Sequence, residues 1–346
     1  MKKELLMGTA LVSTLGAASV AEAVTATMSG NHQTGMEFDS PTGGTDTNAQ
    51  INDNNFTVSL SETTDGGMTI SSSFKVMDEN TKEDYDAGFT LAFTDGSKLD
   101  VLNAGNASGS HAVSIPSSAG AEGVAITSTN SASTGLDFMT GSTALGVEYH
   151  TASDFFADGL KMSFSASTDD GSAATATYRI DSHFALGATY VTDLGDSAVT
   201  LGGGYSATEG NKTGATSLSN DPGGFHVGLS AVTGDLTVAV GFADGDTTAG
   251  DTVANEVAGD VVKVGVKYVT GDLTFNVGVA SGSSKDGAIG TAGTTEDSKD
   301  VTSASISYAV AAGVTAILGY TTVEASDEGA STDDGSAWYI GANMAF

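Results

Sequence analysis

Hydrophobic residues in this chain recur at every second position, segment after segment. In F-T-V-S-L-S-E, residues 56–62, Phe56, Val58 and Leu60 share one side of an extended strand, and Thr57, Ser59 and Ser61 share the other. After T-T-D-G-G the same alternation returns with Met68, Ile70, Phe74 and Val76, which reads as a hairpin. It recurs at 85–93, 145–149, 160–164, 178–180, 184–190, 225–229, 236–242, 262–268, 273–279, 306–310 and 314–320. No helical period of comparable length interrupts the series, so the chain must be all-β, with two unlike faces on every strand.

Connections between the segments come in two kinds. V-T-G-D occurs twice, at 232–235 and 269–272, and A-A-G stands at 311–313; each is a tight turn with Gly at a position that tolerates positive φ. The others, at 208–222, 244–259, 281–300 and 324–335, read as long loops rich in Asp, Gly, Ser and Thr. Short turns at one end and long polar loops at the other are the asymmetry of a transmembrane β-barrel, whose strands alternate apolar outward and polar inward. Tyr149, Tyr178, Tyr268 and Tyr308 strengthen that reading, because each lies on the apolar face near a short connection, where an interfacial girdle places an amphipathic ring. A soluble β-sandwich would alternate as well, with these tyrosines in its core.

Charge and the N-terminal segment bear on location. Against 12 basic residues stand 43 acidic ones, a net charge of -31 that disfavours nucleic acid and anionic surfaces as partners and favours cations. There is no Cys, so neither disulfides nor thiolate metal sites are available. Lys2 and Lys3 precede an apolar run that ends at Ala21-Glu22-Ala23, the small-residue pattern of a cleavage site. That run is shorter than the roughly 20 residues of a spanning helix. Residues 1–23 are therefore expected to be a secretory signal peptide, and 24–346 a barrel domain.

The last nine residues, W-Y-I-G-A-N-M-A-F, put Trp338, Ile340, Ala342, Met344 and Phe346 on one face. A strand that closes a barrel has to pair with the first strand, and V-T-A-T-M-S-G at 24–30 is the expected partner. The ending also resembles the assembly signal of Gram-negative outer-membrane proteins, which implies the barrel assembly machinery as a partner. A-L-G-V-E-Y-H-T-A-S-D-F-F-A-D-G-L-K-M-S-F at 144–164 is similar to the general diffusion porins at the strand after their inward-folded third loop. The low aromatic and high acidic content is similar to that of porins from marine alphaproteobacteria. The resemblance implies sixteen antiparallel strands, usually in a homotrimer in outer-membrane lipid and lipopolysaccharide, around a water-filled pore narrowed by the third loop. Counting every alternating segment gives eighteen strands; 134–140 and 197–207 are here assigned to loops. A P-E-F-G-G-type motif and an arginine ladder are missing, and Arg179 is the sole arginine, so no eyelet residues carry over from better-known members.

Parity supplies the lumen instead. Lys75, Lys98, Lys161, Arg179, Lys263 and Lys267 fall on the polar face, as they should where lipid exposure would cost a base about 2–4 kcal/mol at mid-bilayer. The candidate constriction loop is 103–134, carrying Glu122 and flanked by Asp100, Asp137 and Glu148. Acids there, opposite basic wall residues, would set a transverse field that favours small hydrophilic solutes. The excess negative charge implies weak cation selectivity.

Sites for chemistry are not legible. G-x-S-x-G, G-x-x-x-x-G-K and H-E-x-x-H are missing, and His32, His111, His150, His183 and His226 lie far apart, as surface residues do. No cofactor is implied; D-G-D-T-T-A-G-D at 244–251 could hold Ca2+, although a solvated loop fits it better. Two other classes compete with a pore. A secreted or surface-layer acidic structural β-protein would explain the acidity and leader but not the terminal Phe346, and an outer-membrane hydrolase barrel would need a catalytic constellation that no spacing here suggests.

Overall fold

In the computed structural model the residues described are 24–78, 81–82, 88–102, 106–116, 146–167, 179–211, 223–249, 255–288, 295–327, 330–331 and 334–346. They form one closed antiparallel β-barrel. Its strands run in chain order: β1 (Thr25–Pro41), β2 (Thr47–Thr63), β3 (Thr69–Asp78), β4 (Thr81–Lys82), β5 (Phe89–Ala92), β6 (Lys98–Val101), β7 (Gly146–His150), β8 (Leu160–Ser167) and β9 (Arg179–Leu194). The second half comprises β10 (Ser197–Asn211), β11 (Gly223–Thr233), β12 (Leu236–Ala249), β13 (Asn255–Thr270), β14 (Leu273–Ala288), β15 (Thr295–Ala311), β16 (Val314–Asp327), β17 (Ala330–Ser331) and β18 (Gly335–Ala345). β4 and β17, two residues each, only extend the hairpins that begin with β3 and β16; β3 pairs on to β5 and β16 to β18. The wall therefore has sixteen strands. Each pairs with its sequence neighbours, and β1 with β18, so among the described residues no edge strand is left to template other chains.

Closure differs from the expected partnership. Gly30 exchanges both backbone hydrogen bonds with Phe346, at 3.1 and 3.0 Å, and the ladder continues from Asn31 opposite Ala345 to Pro41 opposite Gly335. The closing partner is thus 30–41 rather than 24–30, which shares only Gly30 with it; residues 25–29 pair with β2 alone. Two registers were available because Met36 and Phe38 alternate as well as Met28 does. The pairing taken sets Phe38 against Trp338 and Met36 against Ile340 on the outer face.

Two further expectations change. The segment 197–207, read as a loop, is most of β10 and is a full wall strand; residues 179–180 and the alternation at 184–190 belong to one strand, β9. The segment 134–140 lies outside the described residues. Connections read as loops are partly ladder too: β12 runs to Ala249, β14 to Ala288, and β15 begins at Thr295. Where both faces of a hairpin meet water, no hydrophobic alternation is needed to hold it, so the sequence there carries no strand signal. The cation-like motif 244–251 accordingly begins as strand rather than as a free loop.

The outward face is apolar around the barrel. Phe164, Leu186, Leu229, Val240, Val264, Val277, Ile306, Leu318 and Ile340 are all exposed on it. Tyr190, Tyr268 and Tyr308 stand close to the short turns, and Tyr320 packs on Trp338 at a ring separation of 4.3 Å towards the other rim. Tyr149 is also exposed on the outer face, and Tyr178 lies outside the described residues. The short turns are as expected, with Gly234 and Gly271 at φ 57° and 58° in the paired V-T-G-D turns. The inward face is rich in Ser, Thr, Gly and Ala, with two apolar clusters among the described residues, Ile317, Val323, Ala325, Ala337 and Tyr339 in one and Ala243 with Val261 in the other. Tyr339 is fully buried; its ring lies over Gly35 and Gly341, filling the space their missing side chains leave.

Candidate functional site

Residues 106–116 leave the wall and run through the interior of the barrel. Leu102, at φ 55°, turns the chain inward after β6, its amide bonded to Gly146 O at 2.9 Å. A single 3-10 turn follows at Gly109–His111. The inward segment then lies across β9 to β13 in turn, and on each of these strands a wall residue beneath it is glycine. Added Cβ atoms on Gly187, Gly202, Gly204, Gly228 and Gly265 would collide with Ala107, His111, Ser108, Val113 and Pro116 respectively; one on Gly241 would meet Ile115 at 3.4 Å. The ladder register explains the lane: Gly187 is opposite Gly204, Gly202 opposite Gly228, and Gly228 opposite Gly241. Glycine disfavours a strand by about 0.5–1 kcal/mol relative to Ala. Here that cost leaves a groove in which backbone lies directly on backbone.

Hydrogen bonds fasten the segment in this groove. Ala107 N donates to Ser165 Oγ at 3.0 Å, and His226 Nε2 donates to Ser108 O at 2.8 Å. His111 reaches the wall with both ring nitrogens, Nδ1 lying 2.7 Å from Thr189 Oγ1 and Nε2 2.7 Å from Ser163 Oγ. Ser110 Oγ donates to Glu148 Oε1 at 2.8 Å. Burial, together with the charges of His150, His226 and Lys161, pushes the His111 imidazole down to about 4. It is neutral at pH 7, as a buried imidazole facing a lysine should be.

Beyond Ser163 the network continues along the wall. His150 Nδ1 is 2.7 Å from Ser163 Oγ, and its Nε2 is 2.9 Å from Asp100 Oδ2 and 3.4 Å from Glu148 Oε1. Lys98 Nζ donates to Asp100 Oδ2 at 3.2 Å, and the Thr90 hydroxyl donates to Asp100 Oδ1. The histidines read as surface residues are therefore mostly interior ones: His111, His183 and His226 are buried and His150 nearly so. Sequence could not show this, because ladder register, not spacing, brings 111, 150 and 226 to the same side of the barrel.

Other expected residues are placed as follows. Register with neighbouring inner-face residues puts Lys75 opposite Thr57, Lys161 opposite Thr189, Lys263 opposite Gly241 and Lys267 opposite Asn276, all facing the interior. Lys98 and Asp100 lie on the inner face of β6, opposite His150 and Glu148 on β7. Both acids are buried in the wall under the inward segment. Arg179 begins β9, and Glu122 and Asp137 lie outside the described residues, as does the rest of 103–134 beyond 106–116. Trp338, Ile340, Met344 and Phe346 are exposed on the outer face, with Ala342 in the same row. Lys299 was missed, since it sits on the part of β15 read as loop. With Lys263 it borders a cavity of about 580 Å³ between the inward segment and the wall, lined mainly by Val113, Ile115, Pro116, Ala243, Val261 and Val301.

The barrel fold is shared with known proteins. The chain is similar to DcaP, an outer membrane channel of Acinetobacter baumannii, with 14% identity over 96% of this chain and 99% of that one and a TM-score of 0.67. It is similar to OmpT, an outer membrane protein of Vibrio cholerae solved in trimer form, with 14% identity over 94% and 100% and a TM-score of 0.61. An anion-selective porin from Comamonas acidovorans matches at 10% identity over 93% and 100%, with a TM-score of 0.61. At these identities the likeness is one of fold. A comparison with curated proteins finds no match. The family profile described as Gram-negative porin matches residues 8–292, most of the 346-residue chain. By that match the chain belongs to the Gram-negative porin family and is an outer-membrane porin channel.

Proposed function

We propose that the channel passes small hydrophilic solutes and ions by passive diffusion, with weak selectivity for cations and no catalytic role. The observation that carries this reading is the inward segment on its glycine lane: residues 106–116 cross the polar interior of the barrel, which supports a constriction that limits solute size rather than selecting one ligand. Lys75, Lys161, Lys263 and Lys267 line the solute path, Arg179 is assigned to it as well, and Glu122 and Asp137 are assigned to the acidic side of the constriction. Net charge supports the ionic preference. The seven interior bases, Arg179 included, are outnumbered by the acids of the long connections, so cations are enriched at the mouth, and the more so at low salt.

Residues 1–23 would direct export and be removed, leaving 24–346 to be inserted by the barrel assembly machinery through the Trp338–Phe346 face. OmpT of Vibrio cholerae, solved in trimer form, supports a homotrimer here. Lipopolysaccharide would contact the acidic connections through bridging divalent cations. Single-channel recording of the refolded protein in a salt gradient tests the reading: discrete conductance steps with a reversal potential of cationic sign, shrinking as salt rises, are expected. An anionic reversal potential would overturn the selectivity, and a barrel that inserts without conducting would overturn the channel.

A further inference from the structure

We propose that Asp100, Glu148 and His150 form a site for one divalent transition-metal ion of the zinc class, at the root of the inward segment. The register of β6 and β7 sets Asp100 directly opposite Glu148, and both are buried, at 5% and 1% exposure. Like charges opposed across a ladder repel. Burial strengthens that repulsion, so opposed carboxylates here favour a cation between them.

The donor atoms are already spaced for one. His150 Nε2 stands 2.9 Å from Asp100 Oδ2 and 3.4 Å from Glu148 Oε1, and the three groups' ligand atoms lie within 4.8 Å of one another. Nitrogen and oxygen bound to zinc at about 2.0–2.2 Å are separated by about 3.0–3.5 Å, according to whether the angle at the metal is octahedral or tetrahedral. The two His150 spacings match edges of such a shell, and the two carboxylates, within 4.8 Å of each other, would close on the ion as it binds. The imidazole is shared between the two carboxylates, at 2.9 and 3.4 Å, and a metal ion between the three groups would contact all of them at once.

Support from outside the cluster is the independent observation. His150 presents Nε2 to the acids while Nδ1 is engaged by Ser163, the arrangement that fixes tautomer and ring angle in metal-bound histidines. Asp100 presents Oδ2 while Oδ1 takes the Thr90 hydroxyl, and Glu148 takes the Ser110 hydroxyl from the inward segment. Lys98 is the competing cation. Its ammonium is 3.2 Å from Asp100 Oδ2, but the side chain is 45% exposed and can turn into the lumen as the ion enters. One imidazole with two carboxylates suits zinc or its transition-metal neighbours better than calcium or magnesium, which take oxygen throughout. Through Ser110, an ion bound here also holds the inward segment to β7.

The untagged chain, refolded in detergent, is titrated with zinc chloride against a chromogenic chelator, with calcium in large excess to occupy the acidic connections. One zinc per chain is expected to persist, with affinity about 10- to 100-fold lower in Ser163→Ala, which spares every ligand, and lower still in His150→Gln. Zinc wholly displaced by calcium in the unaltered protein, or bound equally tightly by a His150→Gln variant that keeps its heat-modifiable barrel, overturns the proposal. Should that variant not fold, X-ray absorption of the zinc-loaded unaltered chain decides. A shell with one nitrogen supports the site, and an all-oxygen shell refutes it.

Discussion

Gly204→Ala is the smallest change that tests how the inward segment is held. The new Cβ would stand 2.5 Å from Ser108 Cα and 2.8 Å from Ser108 Cβ. Carbon atoms pack at about 3.5–4.0 Å, so the segment must retreat by about 1 Å. That retreat stretches the 2.8 Å bond from His226 to Ser108 O and the 3.0 Å bond from Ala107 N to Ser165 beyond hydrogen-bonding length. Each such bond is worth about 1 kcal/mol, and leaving the buried partner unsatisfied costs more. Docking should weaken by about 2–3 kcal/mol, while the strand itself gains slightly from Ala over Gly. Amide hydrogen exchange across 106–116 should then accelerate roughly 30- to 150-fold, with heat-modifiable migration unchanged. Gly223→Ala is the control, because its Cβ would meet nothing closer than 3.5 Å. If Gly204→Ala left exchange across 106–116 as slow as in the control, the glycine lane would not be what seats the segment.

Acidification should loosen the same segment. His111 has its folded value depressed to about 4 from 6.5, so its contribution is fully present above pH 6.5 and is lost as pH falls towards 4. The loss is at most about 3 kcal/mol, and current traces should turn noisy across that window in the unaltered channel but not in His111→Asn. Val264→Arg should impair insertion by about 2–4 kcal/mol, as read by folding yield into vesicles, whereas Lys263→Glu should insert normally and shift the reversal potential further towards cations. Equal insertion defects in the two would contradict the assignment of faces. Tyr339→Ala removes the ring lying over Gly35 and Gly341 and should lower stability to urea by about 3–5 kcal/mol; a change under 1 kcal/mol would mean that the ring stabilises little.

Much of the barrel could be read directly, for one reason. A strand between hydrocarbon and water needs unlike faces, so Val262, Val264 and Val266 against Lys263 and Lys267 announce both strand and orientation. That signal fails where both faces share one environment. Lys299 lies on ladder beyond the girdle, and nothing in T-T-E-D-S-K-D marks it as strand. β10 is misread for a different cause: 197–207 alternates, but bringing eighteen alternating segments to the sixteen strands that the resemblance implies makes it a loop, and two of its glycines, Gly202 and Gly204, are the floor on which His111 and Ser108 rest. The interior cluster was illegible because no local spacing encodes it. Asp100 and His150 are fifty residues apart and meet only because β6 pairs with β7 across the inward segment.

Because the chain contains no cysteine, substitution of one position at a time offers the most direct test of a hollow barrel with alternating faces. Cysteine is placed in turn at 261, 262, 263, 264, 266 and 267 of β13, and each protein is exposed in a conducting bilayer to a water-soluble thiol reagent. Positions 263 and 267 should react and lower the conductance, while 262, 264 and 266, facing lipid, and 261, buried beneath the inward segment, should stay silent. Uniform reactivity, or the opposite parity, would contradict the barrel's assigned inside and outside.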